Sequence, residues 1–200
     1  MNKPSIIIDL DNTLAASAEG FVEFSNANFG TSITVDDYGE DRMKTWGVSF
    51  EEVERRQKIM RDSENQRNYK PIEHAKEVLN ELKKDYTLII LTSRPKETGS
   101  YTDAWLDEYY PGIFDDVVYS GFFETETART GHLMTKADQY KKLGASFVID
   151  DYNKHCESAT EVGIRAMLFG SYPWNQADVL LNGVTRCNNW LDVQKYFESI

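Results

Sequence analysis

The chain has 200 residues, 40% hydrophobic and 28% charged, enough for one compact unit with room for a smaller module. Its formal net charge of −11 and pI near 4.8 argue against attraction to a nucleic acid polymer or an anionic membrane surface. A small phosphorylated ligand stays open, because a divalent metal and a few local cations can reverse the potential inside a pocket.

No apolar run approaches the roughly eighteen residues of a membrane span, and Asp9 interrupts the only N-terminal stretch resembling a signal peptide. Cys156 and Cys187 lack metal-ligand spacing and form no disulfide framework, while His74, His132 and His155 are scattered. A cytoplasmic protein with reduced, packed cysteines and no zinc site is expected.

The first apolar run, Ser5–Ile8, leads into Asp9-Leu10-Asp11-Asn12-Thr13-Leu14. Residues i and i+2 of a strand share a face, so Asp9 and Asp11 can approach one ligand from about 6–7 Å apart along the chain. One carboxylate can attack while the other moves a proton. Two acids in so apolar a setting are costly unless paired, hydrogen-bonded or bound to metal. The plain alternative is a strand running into an Asp/Asn turn.

More than fifty residues then separate this strand from the next clear helix, far beyond an ordinary strand-to-helix connection. The segment 15–72 reads as an inserted helical module, and 1–14 with 73–200 as the main domain. A helical pattern covers Ala15–Phe29, and Ser49-Phe50-Glu51-Glu52 reads as a capping box opening a second helix through Gln66. The insert carries Phe21, Phe24, Phe29, Tyr38, Trp46 and Phe50, most of them expected in its own core and a minority along a ligand cleft.

Beyond the insert, apolar runs alternate with helical patterns. Glu73–Lys84 places Ala75, Val78, Leu79 and Leu82 at helical spacing, and Tyr86–Leu91 follows as a strand ending in Thr92-Ser93-Arg94. Tyr101–Tyr109 reads as a helix, Val117–Tyr119 as a strand, and Thr135–Leu143 as a helix opened by Lys136. Ser146–Ile149 is a strand ending in Asp150-Asp151, followed by a helix over Asn153–Val162 and a strand over Arg165–Phe169. Gly170–Leu181 is ambiguous, Val184–Cys187 fits a short strand and Trp190–Phe197 a closing helix, with no chemistry assigned to this tail. Uninterrupted aliphatic runs fit strands buried on both faces, so the fold predicted is α/β, a doubly wound parallel sheet.

Ligands of open α/β sheets sit beyond the carboxyl ends of the strands. Those ends supply Asp9 and Asp11, Thr92 with Ser93 and Arg94, and Asp150 with Asp151, while Lys136 opens the helix before the last pair. Each group alone has a plain reading as a turn, a helix cap or an exposed lysine. In this order they make a nucleophile, hydroxyl donors, a cation and a further acid pair.

These four motifs resemble those of the haloacid dehalogenase superfamily of phosphohydrolases. Asp9-Leu10-Asp11-Asn12-Thr13 is similar to its DxDxT motif, Leu91-Thr92-Ser93 to its second, Lys136 to its third and Ile149-Asp150-Asp151 to its acidic fourth. The resemblance implies a Rossmann-like core with a helical cap inserted after the first strand. A narrower resemblance is to the 5′(3′)-deoxyribonucleotidase-like branch, carried by the compact cap, Leu91-Thr92-Ser93-Arg94-Pro95, the Phe114–Phe123 stretch and Phe169-Gly170-Ser171-Tyr172-Pro173-Trp174-Asn175. Asn12 departs from that branch, which commonly has glycine there.

By this resemblance Asp9 would attack phosphorus, Asp11 would act as acid and then base, and Thr92, Ser93 and Lys136 would stabilise the phosphoryl oxygens. Mg²⁺ would be held by Asp9, the Asp11 carbonyl and Asp150, with Asp151 beside them. Phe21, Phe24 and Trp46 would stack on a nucleobase. Arg94 would contact a phosphate or sugar, or pair with an acid on the surface. The expected activity is a Mg²⁺-dependent phosphomonoesterase acting on nucleoside monophosphates; the alternatives are a phosphatase for another small phosphate, such as a sugar phosphate, and a noncatalytic phosphate-binding protein.

Overall fold

The computed structural model describes residues 3–39, 41–120, 135–177 and 179–200. Its centre is set by runs too apolar to face water on either side. Ser5–Ile8 forms β1, and its three isoleucines are fully buried. Thr87–Thr92 forms β2, Asp116–Tyr119 β3, Ala145–Asp150 β4, Arg165–Phe169 β5 and Val184–Cys187 β6. All neighbours pair in parallel in the order β3-β2-β1-β4-β5-β6, with Ile7 opposite Ile89 on one side and Val148 on the other. The strand order reverses at β1, which puts the β1–β4 crevice where an open α/β sheet binds ligands.

Alternation along the strands divides the core between two faces. Ile6, Ile8, Leu88 and Ile90 pack against Val78 and Leu79 of α4 (Ala75–Leu82), Trp105 of α5 (Gly99–Tyr109) and Trp190 and Val193 of α8 (Trp190–Glu198). Ile7, Ile89, Leu91 and Val148 pack against Tyr140 of α6 (Lys136–Lys142) and Cys156 and Ala159 of α7 (Asn153–Glu161). The sheet is therefore Rossmann-like with helices on both sides.

Between β1 and α4 lie α1 (Ser17–Phe29), α2 (Arg42–Trp46) and α3 (Phe50–Asp62). They close around their own cluster of Phe21, Trp46 and Val53. The chain enters and leaves this segment side by side: Ala16 N donates to Lys70 O and Ile72 N to Leu14 O. Two local features differ from the sequence reading. The third helix stops at Asp62 instead of Gln66 because Glu64 turns left-handed, φ 55°, and a 3₁₀ turn follows over Asn65–Asn68. The five-residue α2, capped by Asp41 and ended by Gly47 at φ 64°, is too short to show a period.

Residues 121–123 of the Phe114–Phe123 stretch lie outside the described residues. Among the described residues no helix is long and apolar enough to cross a membrane, and both cysteines are free and buried.

Candidate active site

Asp9 leaves the end of β1, and Asp11 follows it in a loop whose carbonyls are held from distant parts of the fold. Tyr172 Oη donates to Asn12 O at 2.8 Å, Trp190 Nε1 to Thr13 O at 2.9 Å and Tyr110 Oη to Leu14 O at 3.2 Å. Asn12 itself sits at φ 58°, and its Oδ1 accepts from Ser17 Oγ and the Ala18 N–H at the start of α1. This is the conformation for which glycine is the default and asparagine a tolerated substitute, so the departure from the branch pattern keeps the turn and adds a buried acceptor. Thr13 is buried with its hydroxyl unpaired among the described residues, so the loop is fixed through its carbonyl instead.

Lys136 reaches the same place from the opposite crossover. Its Nζ lies 3.1 Å from Asp9 Oδ1, 2.7 Å from Asp150 Oδ2 and 3.0 Å from His155 Nδ1, and all but His155 are nearly inaccessible. Burial pulls the Lys136 pKa down, but Asp150 and Asp9 outweigh it and hold the ammonium charged. For Asp150, burial acts upward, yet Lys136 and His155 beside it hold the carboxyl well below the usual range. Asp9 is pushed up to about 7, by burial first and by Asp150 and Asp11 after it, against the pull of Lys136. Asp151 is raised by burial and by Asp9 and Asp150, and its Oδ2 accepts from Trp174 Nε1 at 2.8 Å.

Arg94 is not the surface residue that one of its sequence readings allowed. It is 5% exposed and forks onto Asp11, with Nε 3.0 Å from Oδ2 and Nη2 2.7 Å from Oδ1. Thr92 and Ser93 divide as well. Thr92 is buried and its Oγ1 accepts the Arg94 N–H at 3.1 Å, whereas Ser93 lines the cleft.

That cleft, of about 470 Å³, runs from Asp9, Asp11, Asp151 and His155 to Tyr38, Arg42, Gln57 and Gln66 of the inserted segment. Phe21 and Tyr69 line its extension. Of the three aromatics expected to meet a ligand, only Phe21 borders this space. Trp46 is 6% exposed, stacks on Phe21 at 5.1 Å and donates its Nε1 to Ser25 Oγ; Phe24 packs edge-on against Phe29 at 5.8 Å. Trp46 fills the insert's centre, because a three-helix unit this small has few other side chains for it, and Phe24 stays half-buried at the edge of that unit.

The sequence reading passed over His155, which stands one helical turn beyond the acid pair. Tyr38 belongs to the insert's aromatics, a minority of which the sequence places along a cleft, but nothing in the sequence marks Arg42, Gln57 and Gln66, whose spacing bears no relation to the four motifs. Trp174 gave no chemical signal either, yet it joins the two halves of the site: it stacks on Tyr172, centroids 4.6 Å apart, and meets Tyr38 at 5.0 Å.

The residues fit a hard divalent cation. Fully ionised, Asp9, Asp11, Asp150 and Asp151 would place four negative charges against the two positive charges of Lys136 and Arg94, an excess that raises Asp9 and Asp151 and that a divalent cation would offset; Asp9 and Asp151 both line the cleft. Among the described residues no three acidic, histidine or cysteine side chains form a ready cage. Mg²⁺ does not need one, since it binds through one or two carboxylates, waters and substrate oxygens.

Residues 3–124 match the sequence model of the family described as "5′ nucleotidase, deoxy (Pyrimidine), cytosolic type C protein". The chain belongs to this family. It is a phosphomonoesterase of the nucleotidase type. Family relatives are similar along their whole length: the "Putative nucleotidase YqfW" of Bacillus subtilis is 29% identical over 199 residues, covering 96% of this chain and 92% of the relative. The "Putative 5′(3′)-deoxyribonucleotidase" of Staphylococcus epidermidis is 26% identical over 202 residues, covering 100% and 99%. A haloacid dehalogenase-like hydrolase from Streptococcus pneumoniae shares the fold, with a TM-score of 0.70 at 20% identity over 98% of each chain.

Proposed function

We propose that this nucleotidase-type enzyme is a Mg²⁺-dependent 5′(3′)-nucleotidase that hydrolyses nucleoside monophosphates through an aspartyl-phosphate on Asp9. The observation that carries the reading is the pair of acids on one rigid loop with separate cations. Lys136 serves Asp9 and Arg94 serves Asp11. Because each carboxylate is held by its own cation, Asp9 can be aimed at phosphorus and Asp11 at the leaving oxygen independently.

In the first displacement an Asp9 oxygen bonds to phosphorus as the bond to the ester oxygen breaks, and Asp11 gives its proton to the leaving alkoxide. In the second, Asp11 takes a proton from water, the water oxygen bonds to phosphorus, and the Asp9–phosphorus bond breaks to release phosphate. Lys136 and Ser93 would donate to the equatorial oxygens as charge spreads over them, with Thr92 holding the turn. Asp9, Asp150 and the Asp11 carbonyl would hold Mg²⁺, with Asp151 beside them; the ion supplies charge neutralisation for an anion attacking a phosphate dianion.

Substrate choice would fall to the insert, acting as a cap. Phe21 and Tyr38 bring flat rings under the Arg42 guanidinium, at 4.2 and 4.5 Å, and Gln57 and Gln66 bring carboxamides suited to a base edge. The buried Gln66 Oε1 has no hydrogen-bond partner among the described residues, which leaves an acceptor for the ligand.

The test is phosphate release with Mg²⁺ from ribo- and deoxyribonucleoside 5′- and 3′-monophosphates, sugar phosphates and an aryl phosphate, alongside Asp9→Asn. Turnover that favours nucleotides and vanishes in Asp9→Asn is expected. Turnover of sugar phosphates alone discards the substrate, and no turnover of any ester discards the chemistry.

A further inference from the structure

We propose that Arg94 is a positioning residue for Asp11: it aims the acid at the leaving oxygen and does not bind the transferred phosphate. The proposal rests on the reading of Asp11 as proton donor.

Arg94 borders the cleft, yet all three of its guanidinium nitrogens already have protein acceptors. Nε and Nη2 fork onto the two Asp11 oxygens, and Nη1 donates to Thr102 Oγ1 of α5 at 3.0 Å. Thr102 is fully buried, and the Tyr69 ring lies 5.7 Å from the guanidinium carbon. The Arg94 backbone N–H itself donates to Thr92 Oγ1. A guanidinium fixed at this many points is a rigid template, unlike a mobile phosphate clamp.

Asp11 needs such a template. Its backbone is held by the three aromatic donors to the following carbonyls, but its side chain is 32% exposed. Among the described residues no other hydrogen bond restrains its carboxylate. A bidentate fork occupies one lone pair on each carboxylate oxygen and leaves the other on each available for the proton it must carry. Misplacing a reacting group by about 1 Å can cost about 100-fold, and general acid catalysis contributes about 100- to 10,000-fold, so loss of the fork is readable in rates.

The demand for an acid depends on the leaving group, and this separates the two roles. A nucleoside or glycerol alkoxide is strongly basic and needs the proton, whereas dinitrophenolate leaves without it. The experiment measures kcat/KM at saturating Mg²⁺ for a nucleoside 5′-monophosphate, glycerol phosphate and dinitrophenyl phosphate with wild type, Arg94→Lys, Arg94→Met and Asp11→Asn. kcat/KM reports the first displacement, in which the acid acts.

Expected is a loss of about 100-fold on the alkyl esters and less than about 5-fold on the dinitrophenyl ester for both Arg94 variants and for Asp11→Asn. The ratio of the two rates within one preparation is independent of the fraction folded. Equal losses on all three esters in the Arg94 variants, or no loss, overturn the proposal. Equal losses in Asp11→Asn overturn the acid reading beneath it, and glycerol phosphate keeps the comparison valid if nucleotides are not the substrate.

Discussion

Asn12 and Lys136 show how single side chains set this site. Asn12 works through its backbone and its carboxamide at once, so two substitutions separate the contributions. Asn12→Gly keeps the left-handed turn and loses the buried acceptor for Ser17 Oγ and the Ala18 N–H, at an expected cost of about 1 kcal/mol. Asn12→Ala also strains the backbone and should cost about 1 kcal/mol more in chemical denaturation. Lys136→Met strands Asp9 and Asp150 without their shared cation, and in the metal-free protein at pH 8 should cost about 3–5 kcal/mol. The deficit should shrink by pH 5, where Asp9 takes up a proton.

At the scale of elements, the insert and the sheet have separate cores, and damage to one should be local. Trp46→Ala removes the ring that stacks on Phe21 and opens the centre of the three-helix cluster. Hydrogen exchange should accelerate across α1–α3 while the amides of β1, β2 and β4 keep their protection. At the end of β5, Gly170 has φ 77°, and a Cβ there would overlap the Tyr172 ring. Gly170→Ala should therefore displace the Tyr172 hydroxyl from Asn12 and lower kcat by about tenfold or more, with a smaller effect on thermal stability.

Across the whole molecule, charge couples stability to pH and metal. The Asp9 carboxyl binds its proton more tightly folded, at about 7, than at its ordinary value of 3.8. Its contribution is therefore complete below about pH 4 and lost as pH rises through about 7. The metal-free protein should melt at falling temperature from pH 5 to pH 8. Mg²⁺ competes with that proton for the carboxylate, so at about 100 times its dissociation constant it should restore about 2.7 kcal/mol, or about 5–10 °C, at the upper pH. Melting curves with Mg²⁺ or with chelator check both statements.

The order of strands and helices was legible because burial on both faces demands unbroken aliphatic runs, and an amphipathic helix repeats its apolar residues; Ser5–Ile8, Arg165–Phe169 and Val184–Cys187 begin and end where the residues predict. The meeting of Asp9, Asp11, Lys136 and Asp150 was legible too, since each stands at a strand end or helix start and a doubly wound sheet gathers those points. What only the tertiary structure decided is partnership: Arg94 to Asp11, His155 and Lys136 to Asp150, Tyr38 to Trp174, and Trp46 into the insert's centre instead of the cleft. Periodicity is a local property of the chain. The facing of a guanidinium 83 residues from its carboxylate is settled only when two independently patterned segments pack and their rotamers are chosen together.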